Sequence, residues 1–133
     1  MIRIKPDIEK AKSILSMTED RMDFLNKIED IKFITVIVEN YYEIIKELTT
    51  AVLLIDGFKA VGEYSHKESI DYLSKMEFSE DDIMFMHDLR VRRNKSSYEG
   101  KKIDDSYLER HKIKLDKLVK KLKGLVCEKL SGL

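Results

Sequence analysis

Apolar residues recur along this chain at intervals of three and four, in five runs separated by short polar breaks. The first run predicts a helix over residues 6–29, where Ile8, Ala11, Ile14, Leu15, Met22, Leu25 and Ile28 fall on one stripe. Pro6 suits its first turn, and Asp7 and Glu9 suit the positive end of a helix. Thr18-Glu19-Asp20 marks a candidate mid-helix break. The second run predicts a long helix over residues 31–62. Its opening, Phe33-Ile34-Thr35-Val36-Ile37-Val38, is β-branched, but the helical period continues through Tyr41, Ile44, Ile45, Leu48, Val52 and Ile55, and no partner strand is visible. Between Ala51 and Ile55 the run is apolar nearly all round, which predicts a central helix. Gly57 and Gly62 stand near its end, where a helix can stop.

A short third helix is expected over residues 66–76, with Ser65 as N-cap and Ile70, Tyr72, Leu73 and Met76 facing inward. A fourth begins after Ser79, where Ser79 and Asp82 have capping-box spacing, and ends at Gly100. A polar linker, Lys101–Asp105, leads to a fifth helix from about Asp105 to Leu130. There Leu108, His111, Leu115, Leu118, Leu122, Leu125 and Lys129 form a near-heptad stripe, with lysines on the other faces. The expected architecture is all-α: one domain over residues 1–133, an up-and-down bundle of four long helices and one short.

Composition narrows the function classes. Charged residues are abundant, while glycine and proline are scarce, which opposes disorder. A lone Cys127 rules out an internal disulfide and fits a reducing cytoplasm. The start, Met1-Ile2-Arg3-Ile4-Lys5-Pro6, lacks the apolar stretch of a signal peptide, and no run reaches membrane-spanning length. The net charge of zero hides an asymmetry: residues 1–83 hold 11 basic and 18 acidic side chains, residues 84–133 hold 14 and 7. The C-terminal part can therefore attract an anion. A bundle surface that simply mixes the two signs is an equal reading.

Candidate chemistry gathers in His87-Asp88-Leu89-Arg90-Val91-Arg92-Arg93-Asn94-Lys95-Ser96-Ser97-Tyr98-Glu99-Gly100. With His87 set to zero on a helical projection, Tyr98 falls at about 20°, Asn94 at about 340°, Arg90 at about 300° and Ser97 at about 280°. Arg93, at roughly 240°, stands at the edge of the apolar stripe. Arginine forks, an amide, a hydroxyl and an aromatic ring on one face suit a planar anionic ligand such as a nucleotide or RNA. The same side chains also make an ordinary solvated helix end.

The string Arg93-Asn94-Lys95-Ser96-Ser97-Tyr98-Glu99-Gly100 resembles the signature of HEPN domains (higher eukaryotes and prokaryotes nucleotide-binding), in the branch with tyrosine where others carry histidine. Ala51-Val52-Leu53-Leu54-Ile55-Asp56-Gly57 resembles that family's apolar segment ending in glycine. The likeness spans residues 30–130. It implies a dimeric helical bundle that binds nucleotide or RNA, with a small nucleotidyltransferase as a possible partner in a toxin–antitoxin-type pair. It also implies Arg93 and Tyr98 as candidate catalytic residues, and Arg90, Arg93, Asn94, Ser97, Tyr98 and His87 as the nucleotide- or RNA-contacting set. Tyr98 is further a candidate site of modification by the partner. A metal-independent endoribonuclease acting at a dimer cleft, with Tyr98 or His87 moving the proton, is a second reading. A non-catalytic dimerisation module is a third.

The remaining features have plainer readings. His66 is expected to be exposed at a helix start, and His111 to sit at the core edge. Asp81 and Asp82 suit a helix N-terminus. Met76, Met84 and Met86 suit core filling. The lysines of the fifth helix suit a solvated face at least as well as a phosphate contact. The histidines, cysteine and carboxylates lack metal-ligand spacing, so neither a metal nor a cofactor is expected.

Overall fold

The computed structural model describes residues 1–28 and 31–133, with side chains from residue 32 onward in the second segment. The expected last residue of the first helix, Glu29, lies outside the described residues.

Helix α1 (Ile8–Asn26) opens on Asp7, whose carboxylate accepts from the Lys10 N–H, so Pro6 precedes the helix and is not part of its first turn. No break occurs at Thr18. Its buried hydroxyl donates to the Leu15 carbonyl, which satisfies the group locally and lets the helix run on. A 3₁₀ turn over Ile31–Phe33 leads into α2 (Ile34–Asp56). The β-branched opening is thus helical. Fourteen side chains of α2 are buried, and α2 touches α1 and the three helices that follow it. That explains why its apolar residues cover nearly the whole circumference.

Helix α2 stops well short of residue 62. Gly57 takes up a left-handed conformation at φ 82° and its N–H caps the Leu53 carbonyl. The chain then forms what the sequence pattern did not predict, a two-stranded antiparallel sheet of β1 (Ile2–Arg3) and β2 (Phe58–Lys59). Two further backbone bonds, Ile4 N–H to the Gly57 carbonyl and Asp7 N–H to the Leu54 carbonyl, extend this tie.

Helix α3 (Ser65–Tyr72) continues as a 3₁₀ turn over Leu73–Lys75. Ser65 is its first helical residue; Tyr64 occupies the cap position, with no side-chain cap. Helix α4 (Glu80–Glu99) has the expected capping box of Ser79 and Asp82 and ends on Gly100 at φ 68°. The polar linker is pinned at one point: Ile103 is buried, and its N–H donates to the Thr35 hydroxyl. Helix α5 (Asp105–Ser131) is capped by Asp104.

Side-chain pairings fix the directions. Glu39 meets Ser96 and Glu43 meets Arg93, so α2 and α4 are antiparallel. Tyr41 meets Asp116 and Asp56 meets Lys129, so α2 and α5 are parallel. Together with the packing of the start of α1 against the end of α2, these give an up-and-down order for the four long helices. Met86 is fully buried, but Met84 is 68% exposed and fills no core position, because it falls on the outer side of α4. Among the described residues, no helix is long and apolar enough to cross a membrane.

Candidate functional site

Helix α4 buries only Met86 and Leu89, so most of its surface is polar. Its second half lies against a polar stripe of α2 formed by Glu39, Glu43 and Lys46. The hydroxyls of Ser96 and Ser97 both donate to the Glu39 carboxylate, at 2.8 and 3.0 Å. One turn away, the Arg93 guanidinium approaches Glu43 at 3.7 Å and lies over the Tyr42 ring, 5.4 Å from its centroid. It also stands 5.9 Å from the centroid of Tyr98. Glu43 is shared with Lys46, at 2.9 Å.

Tyr42 is buried, and burial pushes its hydroxyl pKa up to about 12 against the opposing pull of Arg93 and Arg90. Arg90 faces the same place. Its Nε is buried with no hydrogen-bond partner among the described residues. A buried guanidinium N–H without an acceptor is costly, and an incoming oxyanion would relieve it. His66, at the start of α3, completes the ring of charge. Partial burial lowers its pKa first, with Lys46, Arg93 and Arg90 adding to the effect and Glu43 opposing it. Lys46 and Arg93 therefore share the Glu43 carboxylate, with Arg90 and the His66 imidazole close by.

The expected contact set divides. Arg90 and Arg93 converge on this cluster; Tyr98 borders it and is 77% exposed, available to a ligand or a partner. Ser97 faces Glu39, and Asn94 is half-buried between them on the helix. His87 does not join. Its Nε2 lies 2.7 Å from Asp71 of α3, and its Nδ1 is buried without a partner among the described residues. Burial pushes the Asp71 carboxyl up, but hydrogen bonds from His87 and Lys67 outweigh it and hold the pKa below the ordinary value. His87 therefore serves the α3–α4 junction, about 9 Å along the helix from Arg93.

Glu39, Tyr42, Glu43, Lys46 and His66 were not among the expected site residues. Three of them had a signal: Glu39, Glu43 and Lys46 recur at intervals of four and three on a largely apolar helix. His66 had none, because α3 is placed over α2 and α4 by tertiary packing alone. His111 takes its expected place at the core edge, 5.3 Å from the Phe85 centroid and 4.6 Å from that of Tyr107. Among the described residues, no group of three or more His, Cys, Asp or Glu side chains is gathered for a metal ion. A cleft of about 1180 Å³ lies elsewhere, with Leu25, Ile37, Tyr41 and Leu108 in its apolar lining.

Comparison of the chain with models of protein families, with characterised proteins and with solved structures returns no match.

Proposed function

We propose that this protein binds nucleotide or RNA at the α2–α3–α4 cluster, as a homodimeric HEPN-like domain whose partner is a small nucleotidyltransferase. The observation that carries the reading is the cation excess at one point: Lys46, Arg90 and Arg93 around Glu43, with the Arg90 Nε buried and unsatisfied. Arg90 and Arg93 hold phosphate, and Tyr98 offers an exposed ring to stack on a base. Equilibrium binding of AMP and of a short single-stranded RNA tests this. Arg90→Ala and Arg93→Ala should each weaken binding about tenfold, the loss of one charged hydrogen bond. Unchanged affinity in both would sink the reading. Sedimentation at micromolar concentration tests the dimer.

A second reading, metal-independent RNA cleavage, is favoured by His66. A neutral imidazole beside Arg93 can accept a 2′-hydroxyl proton while arginine holds the phosphate. Incubation of labelled RNA in chelator decides it: no cleavage, or cleavage that survives His66→Ala, removes this reading.

A further inference from the structure

A second charged surface lies on the other flank of α4, where α5 passes its N-terminal half. Residues 110–123 carry seven basic side chains and a single carboxylate, Asp116. That carboxylate is already engaged by the Tyr41 hydroxyl at 2.6 Å and by Lys112 at 2.8 Å. Arg110, Lys114, Lys117 and Lys121 recur at intervals of four and three, so they share one face of α5. They advance over about 16 Å of the helix, close to one cation per turn.

These four line a shallow groove of about 500 Å³, open to solvent, between α5 and the start of α4. Asp82 is the one carboxylate in its lining among the described residues. It faces Lys114 and Lys121 at 4.0 Å each, the outer limit of an ion pair. Lys117 between them is exposed and has no ion-pair partner among the described residues. Arg110 reaches Asp104 at 3.7 Å. Two of the ammonium groups lie over aromatic rings: Lys114 Nζ is 5.0 Å from the Phe85 centroid and Lys121 Nζ 4.6 Å from that of Phe78. The charges are thus held in a row and left under-neutralised.

We infer that the Arg110–Lys114–Lys117–Lys121 row is a docking surface for the sugar–phosphate backbone of a single-stranded RNA. The chemistry favours that occupant. An interface with a folded protein centres on apolar side chains and excludes charge from its middle. This groove has cations along its centre and Ile113 as its one exposed apolar member. Evenly spaced point charges without an apolar anchor match an evenly charged polymer, and read no sequence. The inference does not rest on the Arg93 cluster, which faces α2 and α3.

The test is binding of a single-stranded oligouridylate by the full chain across a salt series. Four phosphate contacts give a log–log slope of about −2.8, so affinity falls roughly 50-fold between 50 and 200 mM salt. The combined Lys114→Gln, Lys117→Gln and Lys121→Gln variant should show a slope of about −0.7 and a fall of under about threefold. The matching three-arginine variant should keep the wild-type slope, which separates charge from damage to the fold. The glutamine variant should bind AMP as the wild type does, so this surface and the α4 cluster fail independently. Absence of binding at 50 mM salt, or an unchanged slope in the glutamine variant, overturns the inference. So does binding to phosphatidylserine vesicles without binding to RNA.

Discussion

Arg93 lies over the buried ring of Tyr42, 5.4 Å from its centroid, while its charge is only loosely met by Glu43, at 3.7 Å. The cation is held by stacking more than by its counterion. Removing the counterion should therefore leave the arginine in place and expose its charge. We predict that Glu43→Gln strengthens AMP binding about fivefold, on the order of 1 kcal/mol, as expected for a partly exposed pair. The same substitution should move the His66 titration midpoint further down, because Glu43 is the group that opposes the drop. Calorimetry and imidazole NMR measure the two effects. A weaker complex with an unmoved midpoint would show that Glu43 belongs to the binding surface itself.

Two glycines with left-handed backbone separate conformational strain from crowding. At Gly100 an added Cβ meets open space, so Gly100→Ala should cost about 1 kcal/mol from backbone strain alone. At Gly57 it would stand 3.0 Å from the Ile4 carbonyl oxygen and 3.2 Å from the Pro6 ring. Gly57→Ala should therefore cost more, about 2–4 kcal/mol, by adding displacement of the N-terminal tie to the strain. Urea denaturation of both variants ranks them; equal losses would remove the crowding contribution.

Asp56 gathers three helices at the end of α2. Its carboxylate accepts from the Tyr72 hydroxyl at 2.6 Å and from Lys129 at 2.8 Å. Asp56→Ala leaves both donors without an acceptor in a half-buried place. A loss of about 1–3 kcal/mol follows, measurable as a lower denaturation midpoint. A change within a few tenths of a kcal/mol would mean that water replaces the carboxylate fully.

The aromatic seat of His111 has a sign in pH. Burial first, then Arg110 and Arg92, lowers its pKa, so the folded state resists a proton that the unfolded chain accepts. The stability this contributes is complete above the unfolded imidazole value of about 6.5 and is lost as pH falls through the lowered folded value. His111 should titrate below that reference by NMR. The acid-side decline in stability between pH 7 and 5 should shrink in His111→Leu. A midpoint at or above the reference would contradict the assignment.

The long helices were readable because each must bury a continuous stripe, and a stripe has a period. Ser79–Asp82, Gly100 and the buried stripe of α2 all carried their own local chemistry. The sheet of Ile2–Arg3 with Phe58–Lys59 had no such signal, since two-residue strands have no period and their partners lie far apart in sequence. That same long-range tie explains why α2 ends at Asp56: backbone groups around Gly57 bond to Ile4 and Asp7. Within the candidate site, Arg90, Arg93 and Tyr98 were legible as one motif on one helix. The groups they meet were not legible as their partners, because Tyr42, Glu43 and His66 come from other helices. His87 illustrates the converse. A projection of α4 alone placed it beside Tyr98, but the position of Asp71 on α3 gives it a different partner.

The thin apolar anchorage of α4 has a consequence for motion. With Met86 and Leu89 as its buried residues and Ile83 and Phe85 packed at the core edge, α4 has far less apolar anchorage than α2, which is held by fourteen buried side chains. Its amides should exchange with solvent hydrogen orders of magnitude faster than those of α2, through partial openings that leave α1, α2 and α5 assembled. An anion joining Arg90 and Arg93 to the α2–α3 surface would close those openings, so ligand would register first as slowed exchange along α4.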